Sequence, residues 1–192
     1  NTIGLIVSDI SNPFFPEIIQ GIEELASKDG FDILLFNTSY DINAINNAAR
    51  KLIEFHADGA LVMTTEISPD LISLLNSKRI PVVSLDWGVI DKESIDITEN
   101  FDSGFTQAID HLVNLGHRKI ALITGPMKFR TALARKNAFL KAISLYEDGF
   151  LVHSIYESDF RIDGGRKAFV KICQDKSPPT AIIASNDLLA IG

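Results

Sequence analysis

The sequence predicts an α/β fold used twice in succession, each half a parallel sheet flanked by helices, and two observations predict it. IGLIV (3–7), DILLF (32–36), GALVM (59–63) and IPVVSL (80–85), with IDIT (95–98) as a fifth, are short apolar runs rich in β-branched residues. Such runs suit strands covered on both faces of a parallel sheet. The segments between them repeat apolar residues at helical spacing: Ile18, Ile22 and Leu25, then Ile45, Ala49, Leu52 and Ile53, then Leu71, Leu74 and Leu75. Strand and helix alternate through short links, which is the βαβ pattern.

The boundaries agree with the periodicity. Asn12 before Pro13 reads as a helix N-cap with proline in the first turn, and Ser68-Pro69-Asp70 repeats the device with an acidic residue at the helix start. Gly30, Gly59 and Gly116 fall where helices stop or strands begin. A second round starts after Asn100. Phe105, Ala108, Ile109, Leu112 and Val113 trace a helical face; KIALIT (119–124) is a strand; a helix runs from about Thr131 to Leu145. A strand near FLVHSI, a helix from Asp163 to Cys173 and the strand TAIIA (180–184) complete the round. The expected division is 1–100 and 101–192, although no Pro/Gly linker marks it. NDLLAIG opens another amphipathic helix that lasts about one and a half turns. Three strands and a short helix leave an apolar sheet edge to be covered, so the natural polypeptide is expected to continue past Gly192.

Composition narrows the classes. Of 192 residues, 46% are hydrophobic and 22% charged, which allows a real core and argues against disorder. The formal net charge of -7 disfavours nonspecific attraction of this segment to a phosphate backbone. Any DNA-contacting element is expected outside it. Cys173, the single cysteine, reads as a small buried hydrophobe in the helical pattern AFVKIC. No apolar run approaches ~18 residues and no basic leader precedes Thr2, so neither a membrane span nor a signal peptide is expected in this chain.

Ligands in open α/β sheets collect at the carboxyl ends of strands, where loops and helix N-termini converge. Asp9 through Phe15 follows the first strand. Phe14 and Phe15 could each be core; as a pair at the first helical turn, one facing inward and one outward, they also supply a flat wall for a sugar ring or base. LDW leaves Asp86 and Trp87 past the fourth strand, and SND leaves Asn186 and Asp187 past another. Asp86 can accept from vicinal hydroxyls or a ring amine, and Asn186 can both donate and accept. Arg135, early in the helix after LITGP, can fork onto a hydroxyl pair or a carboxylate, or can be a surface charge. Asp187 reads equally as a helix cap, and Phe160 in ESDFRIDGG equally as core. Catalytic signatures are missing: GxSxG, GxxxxGK[ST], HExxH, CxxC and GxGxxG do not occur. The histidines at 56, 111, 117 and 153 have no metal spacing, and His56 and His117 lie near helix ends, where they meet the dipole favourably. Asp9 and Asp86 as an acid/base pair would need a separation that sequence cannot supply, so binding is the simpler reading. Asn37 begins an Asn-Thr-Ser triplet that matters only in a secretory pathway. No enzyme activity, cofactor or metal is expected.

TIGLIVSDISNPFFPEIIQGIEELASKDGF, IPVVSLDW, NFDSGFTQAIDHLVNLGHRKIALITGP and PPTAIIASNDLLAIG together resemble the effector-binding core of the lactose/galactose-repressor family of bacterial transcription regulators. That core is similar to the periplasmic sugar-binding proteins. HLVNLGHRKIALITGP is typical of the regulators and favours them over a periplasmic sugar-binding receptor of a transport system, which is the alternative. The resemblance implies a two-lobed periplasmic-binding-protein-like fold, a DNA-binding helix-turn-helix domain before this core, and further residues after it. It also implies a cytoplasmic homodimer with a sugar-like effector between the lobes, whose binding shifts affinity for operator DNA. Carried over position by position, the effector contacts fall on Asn12, Phe14 or Phe15, Asp86, Arg135, Phe160 and Asn186, with Asp9 and Asp187 in support. Trp87 stands where the sugar binders often have arginine, exchanging a charged fork for a stacking surface. The dimer surface implied by the family uses helices of the first lobe, from Ile42 to Phe55 and after Pro69.

Trp87→Ala is expected to weaken ring-containing effectors more than acyclic ones in calorimetric titrations. Equal losses for both classes would remove stacking from the account.

Overall fold

A computed structural model of the chain describes residues 1–64, 68–85, 95–147 and 151–192. It divides into two compact units, Asn1–Glu99 and Asn100–Gly192.

The first unit is a five-stranded, wholly parallel sheet. Its strands are β1 (Thr2–Val7), β2 (Asp32–Asn37), β3 (Gly59–Met63), β4 (Val82–Leu85) and β5 (Ile95–Ile97), in the spatial order β2-β1-β3-β4-β5. Crossovers are made by α1 (Phe14–Lys28), α2 (Ile42–Glu54) and α3 (Pro69–Ser77). The period-2 alternation of β1 sends Ile6 to one face and Val7 to the other. Ile6, Ala60, Val62 and Val82 pack with Ile45, Ala48, Ala49 and Leu52 of α2 and Leu71, Ile72 and Leu75 of α3. Val7 and Met63 pack on the opposite face with Phe15 and the partly buried Ile18, Ile19 and Ile22 of α1.

The second unit has β6 (Lys119–Thr124), β7 (Val152–Glu157) and β8 (Ala181–Ala184), parallel, in the order β7-β6-β8. Ile120 and Leu122 of the central β6 face α4 (Phe101–Asn114) and α5 (Arg130–Ile143), where Phe105, Ile109, Ala138 and Phe139 close the core. Also in this unit, α6 (Ile162–Cys173) and α7 (Asp187–Ile191) pack against each other. Their contact is close: a methyl group built on Gly165 would lie 2.2 Å from the Leu189 carbonyl oxygen.

Several local expectations shift by a residue. The formal N-cap of α1 is Pro13 rather than Asn12, yet the Asn12 Oδ1 still accepts from the Phe14 N–H at 3.1 Å. Ser68 caps α3 by accepting from the Leu71 N–H at 3.2 Å, with Pro69 in the first turn. Leu25 and Leu74 are exposed, because the buried stripe of α1 ends on Ala26 and that of α3 runs through Leu71, Ile72 and Leu75. Cys173 is exposed and not the buried hydrophobe expected; Ile172 takes the inward position at the end of α6, and the next residue is turned outward by about 100°. The cap of α7 is Asn186 rather than Asp187.

Gly165→Ala is expected to destabilise the fold by about 1–3 kcal/mol, because its methyl group meets a backbone carbonyl rather than a yielding side chain. Urea denaturation followed by circular dichroism measures it; wild-type stability would show that α6 and α7 separate without cost.

Candidate functional site

Parallel crossovers bring every strand's carboxyl end to one edge of its sheet. Asp9–Phe15 follows β1 and Asn186–Asp187 follows β8 at such ends, whereas Arg135 lies within α5. In the first unit, the loop after β1 is tied down from three sides. Asp9 Oδ1 accepts from the Ser11 N–H at 3.0 Å and from its hydroxyl at 2.7 Å. Asn37 Oδ1, at the end of β2, accepts from the Ile10 N–H at 3.1 Å. Asn12 then holds the Phe14 N–H at the entry to α1. Asp9 and Asn12 thus shape the loop through their own side chains.

This loop sets the two phenylalanines apart. Phe15 is buried against Val7 and Met63, whereas Phe14 is 40% exposed. Their rings meet edge to face, with centroids 5.2 Å apart. The buried ring therefore buttresses the exposed one, and Phe14 is the member of the pair that offers a surface. Asp86 and Trp87 lie outside the described residues.

In the second unit, Phe160 and Asn186 come together. The Asn186 Nδ2 donates to the Phe160 carbonyl at 3.1 Å, while its Oδ1 accepts from the Leu189 N–H at 2.9 Å as the cap of α7. Phe160 itself adopts the left-handed conformation, φ 63°, which is strained for an aromatic residue. Packing over-determines it. The ring is buried, lies parallel to that of Phe129 with centroids 6.3 Å apart, and rests on Gly125 so closely that a methyl group there would be 2.1 Å from its Cζ. Asp187 is exposed at the first position of α7, where its charge complements the helix dipole.

Arg135 is half-buried on α5, with its guanidinium 4.9 Å from the centre of the Phe101 ring. This cation–π contact holds the planar fork against α4. Sequence reasoning missed Phe101, Phe129 and Gly125 as partners of the chosen residues. Their signal was available only as placement: Gly125 and Phe129 flank the turn after LITGP, and Phe101 opens the helix before it.

Buried hydroxyls line the same edge. Thr124 ends β6; Ser185, just after β8, donates its N–H to the Ile123 carbonyl at 2.9 Å; Thr131 sits in the first turn of α5. None of the three hydroxyls has a hydrogen-bond partner among the described residues. An unsatisfied buried hydroxyl costs about 1–3 kcal/mol, so such groups gather where a further polar partner is to be met. Also among the described residues, no three His, Cys, Asp or Glu side chains are placed to hold a metal, and no helix is long and apolar enough to cross a membrane.

The two jobs of Asn186 can be separated. Asn186→Ala is expected to cost about 1–2 kcal/mol through loss of the cap, whereas Asn186→Asp keeps the acceptor and stays near wild-type stability. Hydrogen exchange should then show the residues around Phe160 exchanging faster in Asn186→Asp while the Leu189 amide keeps its protection. Unchanged exchange around Phe160 would show that the Nδ2 bond does not restrain it.

Comparison with known proteins agrees with this architecture. The family model for periplasmic binding proteins and sugar binding domain of LacI family matches residues 1–192. The HTH-type transcriptional repressor PurR of Glaesserella parasuis serovar 5 (strain SH0165) is 35% identical over 193 residues, covering 100% of this chain. The chain spans 56% of that repressor's length. The Cra transcriptional dual regulator from Pseudomonas putida, solved in complex with fructose 1-phosphate, superposes with a TM-score of 0.89 at 20% identity, covering 100% of this chain and 71% of that one. A LacI family transcriptional regulator from Enterococcus faecium, solved with bound ribose, gives 0.82 at 29% identity, with 100% and 69% covered. With its whole length matched by the family model and its two parallel-sheet units shared with these regulators, the chain belongs to the family of periplasmic binding proteins and the sugar-binding domain of LacI-type regulators.

Proposed function

We propose that this chain is the effector-binding part of a ligand-responsive bacterial transcription regulator, acting as a repressor. The observation that carries the reading is the 35% identity, across the whole chain, to a transcriptional repressor that continues well beyond the matched segment. A DNA-binding domain outside the 192 residues contacts the operator, and the chain itself performs no covalent chemistry. The net charge of -7 accords with that division of labour, since this segment is poorly suited to meet a phosphate backbone.

The effector is a small polar ring compound, a sugar or sugar derivative. Phe14 offers the apolar wall in the first unit, with Asp9 and Asn12 supporting its loop and Phe15 behind it. Asp86 and Trp87, outside the described residues, are assigned the roles of acceptor and stacking surface on chemistry alone. Arg135 supplies a charge-assisted fork, Phe160 a ring, and Asn186 and Asp187 the polar end of α7. Effector binding favours one conformation of the regulator over another, and by reciprocity the effector and the operator each alter the other's affinity. The regulator works as a cytoplasmic homodimer, with α2 and α3 contributing to the contact. Ile42, Phe55 and Leu74 on these helices are exposed hydrophobics suited to burial against a second copy.

The test uses the full-length protein. Fluorescence anisotropy on the DNA upstream of its own gene, with and without ribose and a panel of nucleobases, should show effector-dependent affinity. A protein that ignores DNA at all salt concentrations and carries sugar as an exported monomer would establish the periplasmic reading instead. For the effector that scores, Arg135→Ala is expected to weaken binding by at least about 1.5 kcal/mol in calorimetry, with an unchanged melting temperature. Unaltered affinity would remove Arg135 from the site.

A further inference from the structure

A cavity opens in the Asn100–Gly192 unit, between the outer strand β7 and helix α6. It measures about 520 Å³, within the range of small-molecule sites. Ala168 and Tyr156 give it an apolar wall, while Ser158, Lys167 and Lys171 give it donors. Ile155 reaches it by its backbone only, its side chain being turned into the core on the opposite face of β7. Its residues are none of those assigned above to the effector.

The charges in this groove are unequally committed. Glu157 accepts from the Met127 N–H at 2.9 Å, and Asp159 accepts from the Arg161 N–H at 3.1 Å. Asp175 accepts the Tyr156 hydroxyl proton, a bond that raises the phenol above its ordinary pKa and keeps it neutral. Asp163, at the start of α6, pairs with Arg166 at 3.5 Å. Lys167 and Lys171 have no hydrogen bond or ion pair among the described residues. They stand four residues apart on α6 and so on one face, with both ammonium groups able to converge on one ligand group. Two thirds of the chain's 18 Lys and Arg residues fall in this unit, which adds to the positive field at its surface.

We propose that the β7–α6 groove binds a small phosphomonoester, whose phosphoryl group is held by Lys167 and Lys171 with the Ser158 hydroxyl and whose body lies against Tyr156 and Ala168. A phosphoryl group near neutral pH carries close to two negative charges, matching two lysines one helical turn apart. Glu157 and Asp159 keep their negative charge while accepting their hydrogen bonds, and Lys167 and Lys171 offset it. The Ser158 N–H donates to the Thr124 carbonyl at 2.8 Å, so the loop that presents its hydroxyl is fixed to the end of β6. This site stands whatever the effector proves to be.

Calorimetric titration of full-length protein with phenyl phosphate and with inorganic phosphate, at constant ionic strength, tests the proposal. One saturable site per chain is expected, with phenyl phosphate the tighter ligand. Lys167→Ala with Lys171→Ala should weaken phenyl phosphate at least about tenfold at an unchanged melting temperature. Lys167→Arg with Lys171→Arg should retain binding, and Arg135→Ala should not affect it. Absence of saturable binding at millimolar ligand, or undiminished affinity in the double alanine variant, would overturn the site. Loss of phenyl phosphate binding in Arg135→Ala would overturn it too, by moving the ligand to the effector residues.

Discussion

Burial of the central strand on both faces is the constraint from which the rest follows. In β6, Ile120 through Thr124 are all buried, with even-numbered side chains facing α4 and α5 and odd-numbered ones facing the other way. β1 obeys the same rule through Leu5, Ile6 and Val7. A strand covered in this way has no free face on which to hold a ligand; only its ends are open. Right-handed crossovers put all carboxyl ends on one edge, and there the side chains change abruptly from aliphatic to Ser, Thr, Asn and Asp. The polar edge is thus a consequence of the apolar interior, and chemistry collects where the core stops.

Much of this was legible in the chain because it depends on patterns that alternate in register with the backbone. The apolar runs at 3–7, 59–63 and 119–124 read as doubly covered strands and are largely buried, and Ile45, Ala49 and Leu52 repeat at helical spacing. The run at 32–36 is also a strand, but at the sheet edge, where Leu35 is exposed and none of its residues is fully buried. What escaped was rotational detail. Leu25, Leu74 and Cys173 belong to the right helices but the wrong sides, since one step along a helix turns a residue by about 100°. The cap of α7 escaped for a related reason: Asn186 and Asp187 are both good capping types, and only the backbone, extended at Asn186, decides between them.

The candidate site shows a deeper limit. Residue types at strand ends were readable one at a time, but their partnerships were not. Phe15 supports Phe14, Phe129 supports Phe160, and Phe101 supports Arg135, each a contact between residues whose neighbours in sequence give no hint of it except for the first pair. These supporting rings pack against Phe14, Phe160 and Arg135 and hold them in place.

The left-handed backbone at Phe160 bears on how this protein can change under selection. Glycine would adopt that conformation without steric cost, yet it would not stabilise the protein: the strain relieved is about 1–3 kcal/mol, whereas loss of a buried phenylalanine ring costs about 3–5 kcal/mol. Such a variant would gain a little from relaxed backbone and lose the ring stacked on Phe129. The adjacent Gly125 would then tolerate a side chain for the first time, and drift could fill the space. Position 160 is therefore held by its ring against the preference of its backbone, and a lineage that stepped to glycine would find the return harder with each substitution that filled the space beside Gly125.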